Sequence, residues 1–439
     1  MKKNTISRIA ALLLALTLAI TVLTSCGFLN LVIRNENLLP KDAVCHRLDA
    51  REDIPDFDLN LLATVETCFQ LYYYTELEDS ETLANKTADA YFEFCEPEVD
   101  KTSKDEVTRA LIECYIYAVG DAYAFYRTKD ELEDFSADMS GNFVGIGVSV
   151  IRNDLEGTIL VTGVEQNSPA SEAGILPDDY ITAVNGEKVS DIGTLETINK
   201  IRGEEGTNVN VSVLRGDKEL SFNMVRRKIT ETTVSYEIFE EDNIGYIKIS
   251  SFKGNTASQF YTAVNAIEKA GVSAVIFDLR SNPGGYLDAV TDMLSYLVPT
   301  GTKIASFSSG KASVYATDGT KSEPNDHVLK IPSVVLCNEY SASAAELFSA
   351  AMRDYNDMGI LDATLVGEVT FKKGIMQGTI EFNDGSALTL TTALYNPPSD
   401  INFNGVGVSP DRFIAEGEDY IEAGKEEAKK LIQNQPSDI

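Results

Sequence analysis

Ile331-Pro332-Ser333-Val334-Val335-Leu336-Cys337-Asn338-Glu339-Tyr340-Ser341-Ala342-Ser343-Ala344-Ala345-Glu346 reads as a strand that turns into a helix. The apolar run Ile331 to Cys337 suits a buried strand, and Ala344 to Arg353 repeats small and apolar residues at helical spacing. Ser343 stands where one becomes the other. A hydroxyl there is presented beside a helix N-terminus, whose free N–H groups and positive dipole end can receive an oxyanion. The plainer reading of Ser341 and Ser343 is a pair of caps on an ordinary helix, since serine is a favoured cap.

The same strand-then-helix texture precedes this stretch. Ile244 to Ser250 precedes Thr256 to Ala270, and Ala274 to Asp278 precedes Tyr286 to Leu297. Phe260, Val264 and Ile267 form a buried helix stripe that stops at Gly271. Such alternation over residues 230–420 predicts an α/β core with largely parallel strands.

A serine hydroxyl needs a neighbouring base, and histidine is the usual one. The chain has two, His46 and His327, and both read as solvated loop residues. A lysine can serve instead when burial disfavours its charged form. Phe371-Lys372-Lys373-Gly374-Ile375-Met376-Gln377 offers two candidates thirty positions after the serines. A second turn, Asp278-Leu279-Arg280-Ser281-Asn282-Pro283-Gly284-Gly285, follows a strand-like run, and its glycines let backbone N–H groups approach a ligand. Ser250-Ser251-Phe252-Lys253 matches a penicillin-binding spacing, but it ends a strand-like run and reads as a strand terminus.

Taken together, Ser-Ala-Ser-Ala-Ala-Glu, the Asp278 to Gly285 turn and Gly367 to Gly374 with Gln377 resemble the carboxy-terminal processing peptidases, the S41 serine endopeptidases. The resemblance implies Ser343 as nucleophile, Lys373 as base and Gln377 as its orienting partner. It implies an oxyanion hole from Ala344 with Gly284 or Gly285. Lys372 stands where the family usually has glycine, so two adjacent lysines compete for the role of base, and the spacing to Gln377 favours Lys373. The implied core is a crotonase-like α/β sandwich. Thr391 to Asp411 also follows the family's closing segment.

Between Asn142 and Lys228 short strands and turns alternate: Val144-Gly145-Ile146-Gly147-Val148, then Ile159 to Val164, Ser168 to Ile175, and Asp179 to Gly186. This order resembles a β-rich bacterial PDZ domain. A PDZ domain adds a peptide to a sheet edge and holds its terminal carboxylate in a loop, here Gly145, Ile146 and Gly147.

Lys2, Lys3 and Arg8, the apolar run Ile9 to Leu23, and Leu23-Thr24-Ser25-Cys26-Gly27 form a secretory leader whose end resembles a lipobox, with Cys26 as the lipidated residue. The expected organisation is a leader over 1–25, a tether over 26–55, a helical region over 56–137, the PDZ domain over 139–229, the peptidase core over 230–420 and a tail over 421–439. The net charge is −31, which argues against nucleic acid and leaves the lipid as the membrane attachment. No metal-ligand spacing occurs among the six cysteines and two histidines, and nothing calls for a cofactor. A disulfide among Cys68, Cys95 and Cys114 stays open, as does oligomerisation. The expected function is an exported, membrane-tethered endopeptidase acting on extended polypeptides near their C-termini. The rival is a tethered PDZ scaffold whose peptidase domain is inactive.

Overall fold

Every residue of the strand Ala274–Asp278 is buried, yet Val275 and Phe277 join one core while Ala274 and Ile276 join another. Successive side chains leave a strand on opposite faces, so this sheet must be covered on both. The computed structural model describes residues 28–29, 42–153, 158–308, 320–323 and 327–434. The leader, the lipidation site Cys26 and residues 30–41 of the expected tether lie outside these.

The sheet runs in the order Val234–Phe239, Ile244–Ile249, Ala274–Asp278, Ser333–Cys337, Ala363–Gly367, Arg412–Phe413. Only the first pair is antiparallel. Helices Thr256–Lys269, Leu287–Leu297 and Ala344–Asp357 cover one face, contributing Phe260, Leu294 and Phe348. Helix Tyr420–Asn434 covers the other through Ala423 and Ala428. The region expected as a tail over 421–439 is therefore structural as far as residue 434. Small residues make this work: a Cβ on Gly424 would stand only 3.1 Å from a Leu336 methyl.

A second sheet is built on the hairpin Ile375–Glu381 and Ala387–Asn396, with Lys303–Ser308 and Thr320–Lys321 beyond it. Met376, Ala393 and Tyr395 of the hairpin join the core under the first sheet. Ile380, Leu388 and Leu390 join the core of the N-terminal helices Leu59–Tyr72, Ser80–Ala90 and Lys104–Val119. One hairpin is thus shared by two cores. Strand Phe125–Arg127 pairs with its outer half.

The helical region begins earlier than residue 56. Helix Val44–Asp49 buries Val44, Cys45 and Leu48, and Glu66 accepts from Val44 N and Cys45 N, each at 3.0 Å. The expected tether is folded in its second half because Ala43, Val44, Leu48, Ile54 and Phe57 supply apolar surface that the core absorbs. Cys95 and Cys114 are brought together as thiols, Sγ to Sγ 3.4 Å, while Cys68 lies in the helical core.

The region expected as a PDZ domain enters through Asn142–Gly145 and leaves through Arg227–Thr230, which pair antiparallel as a two-stranded ribbon. Its sheet runs Val148–Asn153, Thr158–Val164, Tyr180–Val184, Asn208–Arg215, Lys218–Val225, so Val148–Asn153 is an edge. Among the described residues no helix is long and apolar enough to cross a membrane.

Candidate active site

Strand Ser333–Cys337 ends at the turn before helix Ala344–Asp357, and Ser343 occupies the last position outside that helix with φ +57° and ψ −115°. A non-glycine residue holds such a conformation only where its surroundings fix it. Ser343 N donates to Glu346 Oε2 at 2.8 Å, and Ala342 N donates to Asn282 O at 2.9 Å. Ser341 is used in the turn, its hydroxyl donating to Leu279 O at 2.8 Å and accepting from Asn338 N at 2.9 Å. The two serines are therefore not equivalent caps: Ser341 stitches the turn and Ser343, half-buried, faces the site.

The turn after strand Ala274–Asp278 packs directly against it. Asp278 accepts from Arg280 N at 3.0 Å, from Arg280 Nε at 2.9 Å and from Tyr246 Oη at 2.6 Å, and this pairing holds the Arg280 guanidinium in its charged form. Asn282 donates to Ile249 O at 2.9 Å and accepts from Gly284 N at 2.9 Å. Gly284, at φ +95°, lies so close that an added Cβ would stand 2.7 Å from Ser343 Cβ and 3.0 Å from Ala344 N. A Cβ on Gly285 would collide with Phe252 O at 2.0 Å. Gly284 thus lines the approach to Ser343 and Ala344 while Gly285 packs against the Phe252 backbone, and the Gly284 N–H is already donated to Asn282.

Glu346 joins this turn to the lysine segment. Its carboxylate is fully buried and accepts from Ser343 N, Lys373 N, Lys372 N and Thr370 Oγ1 at 2.6–2.8 Å. Lys372 is exposed and has φ +82°, a left-handed conformation that suits glycine. Lys373 turns inward. Burial pushes its ammonium below the ordinary lysine range, against the opposing pull of Asp121 and Glu346.

The hairpin register slips between Met376 and Gln377, so that Met376 opposes Ala393 but Gln377 opposes Thr391. Such a bulge re-aims a side chain. Gln377 Nε2 reaches Thr391 Oγ1 at 3.4 Å, and Thr391 donates from N at 2.8 Å and from Oγ1 at 2.9 Å to Asp121. Among the described residues no hydrogen bond joins Lys373 Nζ to Ser343 Oγ or to Gln377. Nζ lies over the Tyr123 ring, 4.3 Å from its centre, and Ser343 Oγ lies 3.3 Å from Tyr395 Oη. Tyr395 Oη also donates to Lys373 O at 3.0 Å, so its one hydroxyl hydrogen is shared between Lys373 O and Ser343 Oγ.

Asp121, Tyr123, Tyr395 and the bridging part played by Glu346 escape sequence reasoning. Asp121 and Thr391 are 270 positions apart, and no period or spacing links them. The signal available was small: Gly120 ends helix Lys104–Val119 at φ +83°, and an acid and an aromatic follow at once.

Neither histidine belongs to the site. His46 lies within helix Val44–Asp49, and His327 stacks on Tyr296 with ring centres 3.9 Å apart and Nε2 2.9 Å from a Glu268 oxygen. His46 is thus helical, and His327, though in an irregular segment, is largely buried rather than solvated. Ser250 to Lys253 does end a strand, with Lys253 paired to Glu231 at 2.7 Å. In the PDZ domain, Gly145, Ile146 and Gly147 open a groove of about 380 Å³ between edge strand Val148–Asn153 and helix Thr194–Ile201, floored by Val150, Ile198 and Ile201. Among the described residues no group of three or more histidine, cysteine or acidic side chains could hold a metal.

Comparison with known proteins agrees with this arrangement. Residues 243–414 match Peptidase family S41 and residues 144–225 match the PDZ domain. The "Probable CtpA-like serine protease" of Staphylococcus haemolyticus (strain JCSC1435) is 36% identical over 317 residues, 72% of this chain and 61% of that protein. Its counterpart in Staphylococcus aureus (strain MRSA252) is 34% identical over 71% of this chain and 60% of that one. The chain thus spans about three fifths of the length of these curated relatives. A solved structure from Bacteroides fragilis NCTC 9343, assigned to the S41 proteases, aligns over 87% of this chain and 98% of its own with a TM-score of 0.50 at 16% identity, a likeness of fold. With the serine turn, the glycine turn and the lysine segment gathered in one α/β core behind a PDZ domain, residues 243–414 are those of a peptidase family S41 domain.

Proposed function

We propose that this chain is an exported, membrane-tethered serine endopeptidase that captures extended polypeptides by their C-terminal ends and cleaves near them. The observation that carries the reading is the Glu346 carboxylate, which binds the amides of Ser343 and Lys373 at once and so brings nucleophile and base segments together. Ser343 Oγ attacks the scissile carbonyl and its proton passes to Lys373 Nζ, which later protonates the leaving amine. The Ala344 N–H at the helix N-terminus, with a glycine N–H of the Gly284–Gly285 pair, receives the oxyanion. Gln377, fixed through Thr391 and Asp121, orients the lysine. The PDZ groove takes the substrate's terminal residues as an added strand, and a lipid on Cys26 holds the enzyme at the extracytoplasmic face of the membrane.

Purified protein beginning at Gly27 is incubated with an unfolded polypeptide. Cleavage that disappears in Ser343→Ala supports the assignment. Turnover left undiminished in that variant would remove Ser343 as nucleophile. A wild-type chain that binds peptide without turning it over would favour the scaffold reading, which the separation of Nζ from Oγ in this structure keeps in play.

A further inference from the structure

The N-terminal helical region contributes to the surroundings of the base. Helix Lys104–Val119 stops at Gly120, and the next turn carries Asp121 and Tyr123 to Lys373. Asp121 is 7% exposed. Its oxygens accept from Thr391 N, Thr391 Oγ1 and Tyr123 N at 2.8–3.1 Å, so the carboxylate fixes the backbone of the ring's own residue. Glu346, the other acid near Lys373, is occupied by four donors of the two turns. With both carboxylates taken up by backbone and hydroxyl donors, the face of Tyr123 is what meets Nζ, at 4.3 Å.

An aromatic face attracts an ammonium and not a neutral amine. We propose that Tyr123 is a positioning residue of this peptidase, the seat of the Lys373 ammonium, which sets how readily the lysine gives up its proton and becomes the base. The inference rests on the peptidase reading above. Around Nζ the charged and titratable groups are Asp121 and Tyr123 from the turn after helix Lys104–Val119, Glu346 from helix Ala344–Asp357, and Tyr395 from the hairpin; Lys372 points to solvent. When Lys373 takes the proton from Ser343 Oγ, the Oγ bond to the carbonyl carbon forms and the carbonyl pair moves to the oxyanion. The ring then holds the ammonium until the C–N bond breaks and the proton passes to the leaving amine.

The test compares kcat and KM across pH for the full enzyme and its Tyr123→Phe and Tyr123→Leu variants on one unfolded polypeptide, with Lys373→Ala as control. Phe keeps the face and should reproduce the wild-type profile. Leu removes it, so the proton affinity of Lys373 should fall on the order of tenfold and the ascending limb of kcat should move to lower pH, with KM unchanged. If Leu lowers the melting temperature strongly, Tyr123→Met provides volume without a ring and should shift the limb in the same way. A Leu or Met variant whose limb stays in place, whatever its rate, reduces Tyr123 to packing and overturns the proposal. Cleavage that survives Lys373→Ala removes Lys373 as the base, and a wild-type chain without turnover overturns the peptidase reading itself, each independently of Tyr123.

Discussion

The amides of Ser343 and Lys373 share one acceptor, Glu346 Oε2, at 2.8 Å each. These residues come from a strand-to-helix turn and a separate loop, so a single oxygen sets their spacing. The arrangement is a one-atom bridge, and its removal should be felt in both stability and rate.

Glu346→Gln retains the volume but halves the acceptors and points an NH₂ at backbone donors. It should destabilise by about 3 kcal/mol, since charge-assisted bonds are lost and buried backbone donors are left unsatisfied. Cleavage should fall at least a hundredfold. Denaturant unfolding and kcat on one substrate check the two effects, and a Gln variant with wild-type rate would refute the bridge.

Burial lowers the proton affinity of Lys373, so its neutral, reactive form becomes available at a pH below that of a free lysine. Activity should therefore rise with pH through a range below 10.5, the ordinary lysine value. The same shift makes the folded state bind fewer protons than the unfolded one between the lowered value and 10.5, so this group's contribution to stability rises with pH in that window. The His46→Gln, His327→Gln double variant should give the same rate profile. A profile that follows the histidines instead would be decisive against lysine as base.

Lys372→Gly relieves a left-handed φ of +82°. The gain, about 1–2 kcal/mol of backbone strain, is offset in part by glycine's greater freedom when unfolded. The melting temperature should hold or rise slightly and turnover should persist, whereas Lys373→Arg should be nearly inactive because arginine stays protonated. The opposite pattern would make Lys372 the base.

Gly284→Ala should abolish cleavage while peptide binding by the PDZ groove persists. The new Cβ would be 2.7 Å from Ser343 Cβ, at a φ of +95° that disfavours alanine. Retained turnover, measured beside binding of a fluorescent peptide with a free C-terminus, would show that the glycine turn yields and is not a rigid wall.

The strand and helix flanking Ser343 were legible because the chain there changes from a continuous apolar run to small residues at helical spacing, and the structure places Ser333–Cys337 and Ala344–Asp357 accordingly. Helix Tyr420–Asn434 was not, because it packs through Ala423, Gly424 and Ala428, whose small side chains leave a weak apolar pattern. The lysine segment was legible from its motif, but its surroundings were not. Tyr123 meets Lys373 across 250 positions through a loop, and the Gln377 bulge depends on a register slip that alternation alone does not announce.

The paired ribbon at the PDZ boundary sets Asn142 opposite Thr230 and Gly145 opposite Arg227. Neighbouring strands lie about 5 Å apart, so the points where the domain departs and returns are almost the same point in space. Seen from the peptidase core, more than eighty residues amount to one long excursion from a hairpin. A short turn could close the ribbon with little loop entropy to lose, giving up the Arg202–Asp134 and Arg227–Glu172 pairs and the bonds of Glu165 to Thr232. The binding module is in this sense detachable: it could be excised, exchanged or elaborated over evolutionary time while the cutting machinery kept its fold.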